Sequence, residues 1–181
     1  MSLASLTPSP AAGFDMPLTL LAACHQRILQ FCSMLERLLV HIENHGVDDL
    51  QSVETSRLIH RYFSSAGKHH HQDEEQDLFP MLLQHEPDLE PLLSQLADTH
   101  KQLDASWEQL APLLQSLPDT SIPDLSMAAL NFAKQSREHV QFENRELLPR
   151  AAMLLTTTEQ QRLGIAMAKR RNIQQASISR V

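Results

Sequence analysis

Glycine is scarce, with only 4 in 181 residues, while leucine, alanine, glutamine and glutamate are abundant, which points to an all-helical protein. Cysteine is nearly absent. Cys24 and Cys32 fall eight positions apart on one predicted helix, ~12 Å along its axis, too far for a mutual disulfide. A reduced, cytoplasmic setting is therefore expected. Positive charge is in deficit: the formal net charge of −7 argues against a nucleic-acid footprint, which needs a basic face. No apolar run approaches the ~20 residues that span a bilayer, so no membrane segment is expected. The first residues lack the basic and apolar regions of a signal peptide; residues 1–13 read as a disordered lead-in. Residues 14–176 read as one domain, long enough to build a core.

Histidine is in excess, with 10 in the chain, and it is placed unevenly. Hydrophobic periodicity predicts four long helices. The first runs from Pro17 to about Asn44, with the seam Leu18, Leu21, His25, Ile28, Cys32, Leu35, Leu39, Ile42. The second starts near Asp48 or Asp49, carries Leu58, Ile59, Tyr62, Phe63, Ala66, His70 and Glu74, and is expected to end near Leu78 because Pro80 follows. The third starts around Pro91 with the seam Leu93, Leu96, His100, Leu103, Trp107, Leu110, Leu114, Pro112 fraying its last turn. The fourth carries Leu125, Ala128, Phe132, Gln135, His139, Glu143 and either Glu146 or Leu147, and is expected to stop near Pro149. A shorter fifth helix from about Thr158 to Gln174 ends in Lys169, Arg170 and Arg171, a charge pattern suited to a helix C-terminus. Short connections imply antiparallel neighbours, hence an up-down-up-down antiparallel four-helix bundle with a short C-terminal helix.

Two segments echo each other. The run from His70 to Pro80, HHQDEEQDLFP, aligns with HVQFENRELLP from His139 to Pro149, sharing H-x-x-x-E-x-x-x-L-[FL]-P. Each is preceded by a helix with one histidine on its seam, His25 before the first and His100 before the second. A lone seam histidine is ordinarily a hydrogen-bonded core residue. Four seam histidines, two of them paired with a glutamate at i+4 on the same face, suggest a shared site. Burying two carboxylates and four imidazoles without a cation costs several kcal/mol per charge, which a metal dication removes. The candidate ligands are His25, His70, Glu74, His100, His139 and Glu143. Carboxylate and imidazole without thiolate favour iron or manganese, with zinc also compatible. Bridging glutamates leave two imidazoles per metal, so an exchangeable position is expected. His71 and Glu75 form a rival i,i+4 pair, but the second copy places Val140 and Asn144 there, so they are assigned with His69 to a solvated face or the surround of the site.

From Phe14 to about Arg171 the sequence resembles the hemerythrin-like HHE cation-binding domains. FDMPLTLLAACHQRI resembles the family's opening helix, and the two H-x-x-x-E segments resemble its metal-binding motifs. The resemblance implies a non-haem pair of iron ions with an oxo or hydroxo bridge, held by the six residues above. Oxygen-carrying members have a fifth histidine one turn before the position of His100, where this chain has Leu96, and H-x-x-x-x-D in place of the second motif. The four-histidine, two-glutamate branch includes iron–sulfur-repair proteins and an oxygen- and iron-sensing domain of a ubiquitin ligase. The resemblance thus implies a protein that binds or senses O2, NO, peroxide or iron. The alternative is an enzyme-like role in stress defence, such as iron-centre repair or peroxide and NO turnover. No nucleic acid or membrane is expected as a partner, and the chain is expected to act as a monomer or homodimer. Tyr62, Trp107 and Cys24 are assigned to core packing, and His41 and His45 to the dipole-favoured end of the first helix.

Overall fold

The computed structural model describes residues 13–173, and every regular element among them is helical. Residues 1–12 of the expected lead-in and Gln174 lie outside the described residues; the predicted fifth helix ends at Arg170 rather than near Gln174, with Asn172 at φ 53° beyond it. Helix α1 spans Pro17–His45, with proline in the first turn and Gly46 at φ 93° just beyond its end, a left-handed conformation that glycine reaches without steric cost. Its predicted seam is buried from Leu21 to Ile42.

The predicted second helix is one rod built of alternating turns. Asp49 caps α2 (Leu50–Tyr62) by accepting from the backbone N–H groups of Gln51 and Ser52. A π-helical turn, Phe63–Gly67, leads into α3 (Lys68–Asp73), and a second, Glu74–Leu78, leads into α4 (Phe79–His85). Two sequence expectations change here. Ala66 is exposed, because the wide turn takes it off the seam. The rod also passes Pro80: the Phe79 N–H reaches back to the Glu74 carbonyl, and this wider turn accommodates the proline at the start of α4.

Helix α5 (Glu90–Gln115) absorbs Pro112 and buries Leu93, Leu96, His100, Leu103, Leu110 and Leu114. Helix α6 (Ile122–Leu154) does not stop at Pro149. Leu147 and Ala151 are buried on either side of it, and their packing offsets the lost backbone bond. Leu147, not Glu146, continues the seam. Helix α7 (Thr157–Arg170) opens with a capping box between Thr156 and Glu159. Its Gly164 lies under the Phe14 carbonyl, where an added Cβ would collide with the oxygen.

Helix α1 packs on α2 and α6, and α5 packs on α2 and α6, closing a ring of four neighbours. Two apolar clusters fill this ring. One gathers Ile28, Phe31, Met34, Leu35, Phe63 and Phe132; the other gathers Leu21, Leu78, Leu82, Leu93, Leu147 and Leu163. Between them lies a layer of buried histidine and glutamate.

Candidate metal centre

Four rods each deliver one fully or nearly fully buried histidine to this layer: His25 from α1, His70 from α3, His100 from α5 and His139 from α6. Glu74 and Glu143 enter from the rods of His70 and His139, each one turn on, and neither carboxylate has measurable exposure. The layer divides into two groups that share both glutamates. His25, His70, Glu74 and Glu143 form one; His100, His139, Glu74 and Glu143 form the other. Glu74 turns Oε1 toward His25 and His70, at 3.8 and 3.6 Å, and Oε2 toward His100, at 3.5 Å. Glu143 places Oε2 3.2 Å from His25 and 3.1 Å from His139, and Oε1 3.5 Å from His100.

These atoms are crowded yet poorly satisfied. The ring nitrogens Nε2 of His25 and His70 and all four oxygens of Glu74 and Glu143 are buried without a hydrogen bond of normal geometry. Orphaned polar atoms converging in a dry core are costly by themselves, and a dication between them satisfies several at once. The donor set of imidazoles and carboxylates suits first-row divalent metals.

Electrostatics divide the layer. Burial opposes a charge on His25, but Glu143 and Glu74 overcome it and raise its pKa to about 10. His100 behaves alike: burial opposes its charge, and Glu143, Glu74 and Glu75 raise its pKa to about 9. Burial, with the neighbouring charges of His100 and His25, pulls His139 down to about 4. His70 is likewise held neutral, by burial and by His25. Glu74 is raised, because burial and the adjacent Glu143 both resist its charge, whereas contacts with His100 and His25 keep Glu143 ionised despite burial. The metal-free layer thus balances carboxylate charge with protons on His25 and His100.

The structure brings all six sequence-selected residues together and revises their surroundings. His71 is largely buried and lies face to face with His100, ring centroids 4.0 Å apart and planes within 9°. It also groups with His100 and His139 as a third set with metal-ligating potential. In this pose it cannot share a metal with His100, since each ligand ring's plane contains the metal and two such rings cannot lie face to face. Glu75, assigned to the surround, accepts a hydrogen bond from His100 Nδ1 at 2.6 Å. Asn144, which the spacing did not single out, accepts one from His25 Nδ1 at 2.7 Å. Both residues immediately follow the glutamate of their own motif, and that shared position is the signal the sequence offers.

A cavity of about 310 Å³ reaches the layer at His71 and His139 between Phe63, Trp107 and Phe132, with Lys68, Asp104 and Glu108 also lining it. Tyr62 stacks on Phe31 at 3.9 Å, a core role as expected. Cys24 and Cys32 are free thiols, and burial pushes both up to about 11, which leaves them unreactive at neutral pH. No helix among the described residues is long and apolar enough to cross a membrane.

The chain is similar, at 31% identity over 112 residues, to an uncharacterized protein of Haemophilus influenzae; the match covers 62% of this chain and 64% of that relative. The family model of the hemerythrin HHE cation-binding domain matches residues 16–151, a span that contains all four histidines and both glutamates of the buried layer. The chain belongs to the hemerythrin HHE cation-binding domain family.

Proposed function

We propose that the chain is a non-haem di-iron protein of up-down-up-down four-helix architecture that binds or senses O2, NO, peroxide or iron in a reduced, cytoplasmic setting. His25 and His70 would hold one iron and His100 and His139 the other, with Glu74 and Glu143 shared between them. The observation that carries this reading is the pair of four-residue groups sharing the same two buried, unsatisfied carboxylates. When bound, such a pair supplies an exchangeable coordination position and one-electron redox chemistry.

The chain's own residues set what reaches that position. The cavity ending at His71 and His139 offers a small ligand a route to the side of the His100 and His139 position. Phe63, Trp107 and Phe132 pack against one another there, at centroid separations of 4.8 to 5.4 Å, and give the cavity an apolar wall. An apolar wall of this kind suits small uncharged ligands. The second reading, turnover of peroxide or NO, rests on the same opening.

Protein purified aerobically is expected to carry close to two irons per chain, with near-ultraviolet absorption from a bridged ferric pair; zinc alone would overturn the iron assignment. Mixing the reduced protein with O2, NO or peroxide in a stopped-flow instrument separates the two readings. A stable adduct supports binding or sensing, and repeated turnover supports an enzyme.

A further inference from the structure

The two halves of the buried layer are tied in a crossed pattern. Glu75, one residue after Glu74 in the first motif, reaches His100 of the second half. Asn144, one residue after Glu143 in the second motif, reaches back to His25 of the first half. Each contact fixes Nδ1 as the N–H donor and leaves Nε2 facing the shared carboxylates. The other two histidines have no such tie: Nδ1 of both His70 and His139 is buried without a partner. Each candidate metal position therefore contains one tied and one untied imidazole. The tying groups differ in charge, a carboxylate at one position and a neutral amide at the other.

Their chemistry differs in a defined direction. A carboxylate accepting from Nδ1 draws the proton toward itself and enriches electron density on the ring, which makes Nε2 the stronger donor. An amide oxygen orients the ring without adding charge. We propose that Glu75 and Asn144 are positioning residues that make the two metal positions inequivalent. The position at His100 and His139 binds the more tightly and holds the more oxidised ion; the position at His25 and His70 is weaker and the first to be reduced. The proposal rests on the two-metal reading above.

Its test is an anaerobic titration of the metal-free protein with Fe(II) against a chromogenic chelator, followed by Mössbauer spectra of the 57Fe-loaded form. The wild type is expected to show two resolved binding steps and two distinct quadrupole doublets. Glu75→Gln keeps the length of the side chain and its hydrogen bond but removes the charge. It should weaken the tighter step by about tenfold or more and draw the doublets together. Asn144→Asp should strengthen the weaker step, and in the Glu75→Gln background should separate the doublets again. Both residues are exposed, so folding should survive, and far-UV circular dichroism of the metal-free variants checks it. Two bound irons with coincident wild-type doublets, or a Glu75→Gln protein unchanged in both affinity and spectrum, would overturn the proposal and leave the two-metal reading standing. Failure of the wild type to bind two metals would instead remove that parent reading.

Discussion

The same H-x-x-x-E motif sits on two quite different supports. The second copy lies in the middle of α6, 33 residues of unbroken helix, with Phe142 before its glutamate. The first lies on a rod interrupted by two π turns, with Asp73 at the matching place. Asp73 is fully buried and held between Arg170 and Arg171 of α7; Arg170 also grips Asp77. At the other end of α7, Glu159 pairs with His85 of α4 at 2.9 Å. The first rod is thus clamped by charge at both ends of α7, while Leu147 and Ala151 seat the second by apolar burial. A π turn relaxes the hydrogen-bond ladder near the site, and the clamp supplies external restraint on the rod, whereas α6 is tied to α1 by Arg137 on Glu36, away from its motif.

At the shared glutamates the two copies should be indistinguishable. Glu74→Ala and Glu143→Ala are each expected to lose both metals, because each removes a carboxylate common to the two groups. Elemental analysis reads the loss, and a variant keeping one full metal would separate the copies. With metal normally at about a hundred times its Kd at each of the two positions, unfolding free energy should drop by roughly 5 kcal/mol, measured by urea denaturation.

Protons give the next effect. In the metal-free protein His25 and His100 are raised to about 10 and 9, so both are charged at neutral pH. Each must shed its proton before Nε2 can bind a metal. From pH 9 to 7, affinity at either position should therefore fall about tenfold for each unit of acidification, and more steeply below about 7, where the raised Glu74 carboxyl also takes up a proton. Chelator competition at pH 6, 7 and 8 checks the slope, and a flat profile at one position would show that its histidine is neutral.

The clamp itself comes third. Asp73→Ala leaves two arginines facing a vacated buried site and should cost about 2–3 kcal/mol in urea unfolding, less than a fully buried pair because the arginines retain some solvent. Phe142→Ala, at the matching position of the second copy, removes a half-buried ring and should cost about 1–2 kcal/mol. A double cycle with Arg170→Ala should show coupling for Asp73 and none for Phe142. Equal costs and no coupling would dissolve the contrast between the supports.

Much of this architecture is legible in the sequence. The three-and-four spacing locates the helices, and aligning the two motifs selects His70 and Glu74 over His71 and Glu75; the fold buries the selected pair fully. What escapes such a reading depends on partners far away along the chain. Regular spacing cannot announce a π turn, so Ala66 falls one face away from its expected place. Pro80 and Pro149 read as stops because the packing of Leu82, Leu147 and Ala151 is tertiary. Arg170 and Arg171 read as a helix end because nothing local points to Asp73. Glu75 and Asn144 stand off the seam of their own helices and act on histidines 25 and 119 positions away.

The smallest effect tests the far end of the clamp. Glu159 accepts from the Thr156 hydroxyl and backbone N–H and from His85, which together hold its carboxyl down at about 2 against an ordinary 4.5. A depressed carboxylate contributes stability above its unfolded value, and the contribution disappears as pH falls toward the folded one. With chelator present throughout, so that metal loss cancels, Glu159→Gln should lower the urea midpoint by a constant amount above pH 5. The gap should then close between pH 4.5 and 2, where wild type loses the same charge. Thr156→Ala, which deletes the cap hydroxyl, should cost about 1 kcal/mol. A gap that widens in acid would mean that protonated His85, not the cap, carries this contribution; no gap at any pH would mean that the first rod is restrained at Asp73 alone.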